Sequence, residues 1–178
     1  MGMMSIGKEM LSREDIEARA REIGEQISKD YEDKELLLVG ILRGAVMWMA
    51  ELMKNITVEN TVIDFMAVSS YGSGTKSSGQ VRINKDLNED VVGKDIIIIE
   101  DIVDTGTTLN YLKKFLAARE ANSVEICAML DKPARRKTEV DVKYVGFKVE
   151  NKFIVGYGLD CDQQYRQLPY ITCIDNDE

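Results

Sequence analysis

Residues 96–109 read IIIIEDIVDTGTTL, and the fold follows from how this stretch divides. Four consecutive isoleucines leave no polar face, so they predict a strand buried on both sides, as in a parallel sheet. At its carboxyl end stand Glu100 and Asp101, then Asp104, Thr105, Gly106, Thr107 and Thr108. A helix is predicted from Leu109 to Ala118. In open α/β sheets ligands bind just outside the carboxyl ends of strands, so this turn is the first candidate site.

Outward from it, the same alternation recurs. Ser12 with Asp15 three residues on forms an acidic capping box. Ile16, Ala20, Ile23, Ile27 and Tyr31 then follow at helical spacing. Leu36 to Leu42 and Val62 to Val68 read as strands, and Ala45 to Met53 as a helix between them. Val124 to Leu130 is a further strand; Phe153 to Val155 and Ile171 to Ile174 are short ones. Strands alternating with helices predict an α/β fold with a mostly parallel central sheet flanked by helices. No repeat or linker divides the 178 residues, which suits one domain. Residues 69–80, SSYGSGTKSSGQ, break the pattern and predict a surface loop or an active-site lid.

Composition removes several function classes. The chain has no histidine, which excludes Ser-His-Asp and Cys-His catalysis and any histidine-liganded metal. The net charge of −8 opposes a nucleic-acid binder that works by neutralising phosphates. Cys127, Cys161 and Cys173 are an odd number at no metal-like spacing, and they read as reduced and structural. No apolar run approaches the ~20 residues that span a bilayer. MGMMSIGKEM at the start lacks the order of a secretory signal, so a cytoplasmic protein is expected.

The DTGTT turn has the chemistry of a phosphate site. Gly106 allows several backbone N–H groups to face one point, at the start of a helix whose N-terminus carries partial positive charge. The threonines add hydroxyl donors. Three carboxylates beside an anion conflict unless a cation and sugar hydroxyls lie between them. Carboxylates are hard oxygen ligands that suit Mg²⁺, and they accept hydrogen bonds from a ribose diol. A ligand with phosphate, ribose and metal satisfies every group. Helix capping and turn formation are the blander roles for Glu100, Asp101 and Asp104, but the whole E-D-x-x-D-T-G-T-T run after a buried strand favours a ligand site.

This run resembles the phosphoribosyl-pyrophosphate motif of the phosphoribosyltransferases, and its surroundings resemble the hypoxanthine-guanine branch. The similarity also includes LLLVGILRGA (36–45), VSSYGSGTKSSG (68–79), LDKPARR (130–136) and KFIVGYGLDCDQQYR (152–166). The resemblance implies the type I phosphoribosyltransferase fold. That fold adds a small hood, built from both chain ends, and a mobile lid over about residues 69–84. It also implies a reaction: the base attacks C1 of the activated ribose, pyrophosphate leaves, and a purine nucleoside monophosphate forms.

The implied roles fall on matched residues. Glu100 and Asp101 bind the ribose hydroxyls and Mg²⁺; Asp104 is the general base that takes the proton from purine N7. Thr105, Gly106, Thr107 and Thr108 hold the 5′-phosphate. Leu42, Arg43 and Gly44 hold pyrophosphate with Arg166, and the peptide before position 43 can be cis. Lys132 donates to the 6-oxo group, which admits hypoxanthine and guanine and disfavours adenine. Taken without the family, Lys132 reads as a solvated lysine. Phe153 stacks on the purine, Ile154 and Leu159 line its pocket, and Asp160 at the same pocket binds a second Mg²⁺. Ser70 and Tyr71 belong to the lid, which excludes water during transfer. The implied partners are these small substrates, with no nucleic acid or membrane, in a homodimer or homotetramer. Two alternatives share the fold: a transferase for another base, and an RNA-binding regulator of a pyrimidine operon. The acidic charge and Asp104 oppose the second.

Overall fold

A computed structural model describes residues 5–70 and 80–175. The elements run β1 (Ser5–Ile6), α1 (Arg13–Asp30), β2 (Leu36–Leu42), α2 (Val46–Met53), β3 (Thr61–Ser70), β4 (Val81–Lys85), β5 (Asp95–Val103), α3 (Thr107–Ala118), β6 (Ser123–Asp131), β7 (Tyr144–Lys148), β8 (Ile154–Val155) and β9 (Thr172–Asp175), with a 3₁₀ turn at Pro133–Arg135. The main sheet is six-stranded in the order β4-β3-β2-β5-β6-β7. All its pairings are parallel except β3 with β4.

The isoleucine run works as its composition demands. Ile97 and Ile99 pack on one face with Ile16, Ile27, Trp48 and Leu52 from α1 and α2. Ile96 and Ile98 pack on the other with Leu109, Leu112 and Leu116 of α3. Alternate side chains of a strand point to opposite faces, so a doubly covered strand must be apolar throughout. At the start of α1, Ser12 accepts from the Asp15 N–H and Asp15 accepts from the Ser12 N–H, completing the capping box. Both chain ends meet in a small second sheet of order β1-β9-β8, antiparallel throughout.

The chain order creates the site. From β2 the chain steps outward to β3, then returns to lay β5 on the other side of β2. The connections therefore diverge between β2 and β5, which opens a crevice above their carboxyl ends.

Several boundaries differ from the sequence reading. Glu100 and Asp101 are not in a turn: β5 continues through them, with Glu100 opposite Ala128 and Val103 opposite Asp131. The helix after the motif begins at Thr107 rather than Leu109, with Gly106 as its N-cap, so Asp104 does not cap it. The stretch taken as the lid starts and ends in strand, since Ser69 pairs with Arg82 and Ser70 with Val81. Tyr71 and the rest of that segment, 71–79, lie outside the described residues. Strands β1, β4 and β7 were not anticipated. Among the described residues, no helix is long and apolar enough to cross a membrane.

Candidate active site

A cleft of about 290 Å³ opens above β2 and β5. Its lining brings together Leu42, Gly44, Glu100, Asp101, Asp104, Thr105, Gly106, Thr108, Asp160 and Arg166, all named from sequence, with Ile41, Val68, Ile102 and Leu109 beside them.

The turn at residues 104–108 is shaped by Gly106, whose φ of 82° is a left-handed conformation that costs glycine little. A β-carbon there would overlap the carbonyl of Thr138. The turn is buttressed from outside by residues 136–138. The N–H groups of Lys137 and Thr138 both donate to the Thr105 carbonyl, at 2.9 and 3.0 Å. Arg136 Nε donates to the Asp104 carbonyl at 3.2 Å and its Nη2 pairs with Asp131. The hydroxyls of Thr107 and Thr138 share a hydrogen bond of 3.1 Å, so Thr107 turns to the buttress and not to the cleft. In the first turn of α3 the Thr107 N–H donates to Thr105 Oγ1 at 3.4 Å, while those of Thr108 and Leu109 have no intrahelical partner, which suits an anion.

Across the cleft floor, Glu100 and Asp101 are neighbours on β5. Burial raises the proton affinity of Glu100 well above the usual carboxylate range, and the adjacent Asp101 charge adds to it. Burial raises Asp101 as well, opposed by its hydrogen bonds from Glu100 and the Ile102 N–H and by the Arg166 charge. Two acids that close hold a shared proton more firmly than either would alone. Asp104 stands beyond them. Its Oδ1 is buried and makes no hydrogen bond among the described residues; Arg135 Nε lies 3.5 Å away.

The β2–α2 loop closes the cleft from the other side. The Leu42–Arg43 peptide is cis. Gly44 approaches Asp101 so closely that any β-carbon would overlap its carboxylate. Arg166 comes in from the segment after β8. Its Nη1 donates to the Gly158 carbonyl at 2.6 Å and its Nη2 lies 3.3 Å from Asp160 Oδ1, while Nε is buried with no hydrogen-bond partner among the described residues. Arg43 does not line the cleft itself but donates to Gln163 Oε1 at 2.9 Å.

Lys132 departs from the expectation of a solvated lysine, being only 7% exposed. Its N–H donates to the Val103 carbonyl at 2.9 Å, and its Nζ to the Lys152 carbonyl at 2.9 Å, beside Phe153. Phe153 is 55% exposed, which rules out core packing as its role. Ile154 and Leu159 are buried in the core cluster and do not line the cleft. Ser70 is the last residue of β3 and likewise lies outside the lining. Sequence reasoning missed Arg135, Arg136, Thr138 and Gln163. The two arginines and Gln163 stood inside quoted motifs without a role of their own, whereas Thr138 carries no sequence signal.

A parallel sheet with a phosphate-shaped turn, an acidic pair and convergent arginines at its switch point defines a phosphoribosyl-handling protein. The chain matches the phosphoribosyl transferase domain over residues 7–162, and it belongs to that family. Within the family it falls among the hypoxanthine-guanine phosphoribosyltransferases. It is 52% identical over 162 residues to the hypoxanthine-guanine phosphoribosyltransferase of Staphylococcus epidermidis (strain RP62A), covering 91% of this chain and 90% of the relative. A hypoxanthine phosphoribosyltransferase structure from Staphylococcus aureus superposes with a TM-score of 0.92 at 48% identity, covering 96% and 92% of the two chains. A hypoxanthine-guanine phosphoribosyltransferase from Bacillus anthracis superposes with a TM-score of 0.91 at 37% identity, covering 96% of this chain and all of the other.

Proposed function

We infer that this protein is a purine-salvage enzyme. It transfers the 5-phosphoribosyl group of phosphoribosyl pyrophosphate to hypoxanthine, and to guanine, giving the nucleoside monophosphate and pyrophosphate. The observation that carries this is the cleft at the β2–β5 switch point. There the glycine-shaped phosphate turn, the buried acidic pair and Arg166 surround one volume of sugar-phosphate size.

The residues divide the work. Thr105 to Thr108 and the start of α3 grip the 5′-phosphate. Glu100 and Asp101 accept from the ribose hydroxyls and place negative charge beside a sugar that becomes cationic as the bond to pyrophosphate breaks. Asp104 takes the proton that the base must lose; a positioned base of this kind contributes about 10²–10⁴ in rate. Arg43, Arg166 and the backbone of Leu42 and Gly44 receive the pyrophosphate. Lys132 donates to the 6-oxo group and Phe153 stacks on the ring, with Ile154 and Leu159 supporting that pocket from the core. Ser70 and Tyr71 belong to a covering segment that excludes water.

The donor set fits Mg²⁺. Glu100 and Asp101 offer hard oxygens whose mutual repulsion a divalent ion relieves, and Asp160 offers a third carboxylate at the cleft edge. Among the described residues no three potential ligands converge on one point. Mg²⁺ is commonly held by one or two carboxylates and completed by substrate oxygens and water. When bound, Mg²⁺ neutralises charge on the departing pyrophosphate. We place the enzyme in the cytoplasm, where its soluble anionic and base substrates are handled, and propose a homodimer or homotetramer.

The test is a transfer assay with hypoxanthine, guanine, xanthine, adenine and uracil, each with phosphoribosyl pyrophosphate, with and without Mg²⁺. Pyrophosphate release with the first two bases only, and only with metal, is expected. Transfer to adenine or uracil, or RNA binding without transfer, would overturn the reading.

A further inference from the structure

Gln163 stands outside every role assigned above, yet its side chain joins the two arginines of the pyrophosphate end. Its Oε1 accepts from Arg43 Nη1 at 2.9 Å and from Arg166 Nη2 at 3.1 Å. These arginines come from distant parts of the chain, one from the β2–α2 loop and one from the segment after β8. A single neutral oxygen lying between two guanidinium groups has the geometry that a phosphate oxygen would have there. The loop carrying it is built for the purpose. The Gln163 N–H donates to Asp160 Oδ2 at 2.9 Å, and Asp160 in turn pairs with Arg166. Asp162, Gln163 and Tyr165 all have positive φ. Cys161 and Gln164 exchange backbone hydrogen bonds across the turn. Gly158, in the same segment, packs on the Gly44 carbonyl, so this loop sits directly on the β2–α2 loop.

We propose that Gln163 is a positioning residue for pyrophosphate: its carbonyl draws Arg43 and Arg166 to one point, and a pyrophosphate oxygen takes its place there. The proposal rests on the pyrophosphate role of the two arginines. The sign of the effect follows from exposure and entropy. Gln163 is solvent-exposed, so its displaced amide finds water and little is lost on release. An untethered arginine must surrender the freedom of a long side chain when it binds, and pre-assembly removes that cost before the ligand arrives. An amide also lacks the charge with which a carboxylate would compete strongly against an anion.

The experiment is titration of pyrophosphate with Mg²⁺ into the intact enzyme, alongside steady-state kinetics. Gln163→Leu removes the acceptor at nearly constant size, Gln163→Glu keeps one, and Arg43→Met tests the platform. Gln163→Leu is expected to weaken pyrophosphate and raise the KM for phosphoribosyl pyrophosphate by about threefold to tenfold, with kcat and the KM for base within about twofold. Gln163→Glu should weaken pyrophosphate binding at least as much as Gln163→Leu, because its carboxylate competes with the incoming anion for the two arginines. In an Arg43→Met background, Gln163→Leu should add little, because the bridge is already cut. Pyrophosphate binding by Gln163→Leu that is unchanged, or tighter, overturns the proposal. If Arg43→Met and Arg166→Met also leave pyrophosphate binding unchanged, the assignment of the arginines fails, and the proposal with it. Unchanged melting temperatures are expected throughout, and a loss of binding that only tracks unfolding would count against the positioning role.

Discussion

The α-carbon of Gly44 lies against the carboxylate of Asp101, with no room for a β-carbon between them. The β2–α2 loop and the carboxyl end of β5 thereby share one surface, and Asp101 is held against the loop that carries Arg43.

Gly44→Ala forces these groups apart. Overpacking of this kind typically costs about 1–3 kcal/mol in stability. The larger effect is expected on turnover, because Asp101 moves relative to the sugar; misplacement by an ångström can cost about 10²-fold. Chemical denaturation and kcat/KM on the same preparation separate the two, and a variant with near-parental kcat/KM would show that the contact is dispensable.

Glu100→Gln is expected to stabilise the metal-free protein while reducing activity. The folded chain holds the Glu100 proton above the ordinary carboxylate range. Over that interval the native state binds more protons than the unfolded state, so the pair's contribution to stability falls as pH rises through the raised value. The variant lacks this loss. Its melting temperature should match the parent near about pH 4 and exceed it increasingly toward neutrality, in chelator. A difference independent of pH would contradict the buried-pair assignment. Metal ligands must be deprotonated, so Mg²⁺ affinity of the parent should rise with pH across the same interval.

Asp104→Asn keeps the shape and removes the base. A fall of about 10²–10⁴ in kcat is expected, with pyrophosphate affinity unaltered. Full activity in this variant would remove the general-base assignment.

Phe153→Ala tests the stacking surface. The ring is more than half exposed, so its loss should change the melting temperature little. Stacking of a base on an aromatic ring is worth about 1–3 kcal/mol. The KM for hypoxanthine should rise accordingly, while that for phosphoribosyl pyrophosphate stays near the parent. Equal rises in both would point to a general loosening of the β8 region.

The doubly buried strands were legible because each announces itself as a continuous apolar run, as Leu36–Leu42 and Ile96–Ile99 do. Edge strands carry no such run. In β7, YVGFK places Gly146 at its centre, where the chain passes close to the Met129 carbonyl, and leaves most of its residues half-buried. In β4, VRINK places only Val81 and Ile83 as apolar residues among Arg82, Asn84 and Lys85 at the rim of the sheet. Glu100 and Asp101 were placed in a turn because acidic residues rarely lie in buried strands; here the functional cleft is what admits them. The motif residues were readable from chemical type and order. Gln163 and Thr138 were not, since each acts by reaching a partner far along the chain, and nothing in their identity announces that reach.

The strip from Lys132 to Thr138 ties the Val103 and Thr105 carbonyls at its two ends. On the proposed function, one end carries the ammonium assigned to the nucleobase, and the other braces the turn assigned to the 5′-phosphate. That function would make this single short ribbon a ruler laid along the product, on which a base seated too high or too low disturbs the turn that holds the phosphate.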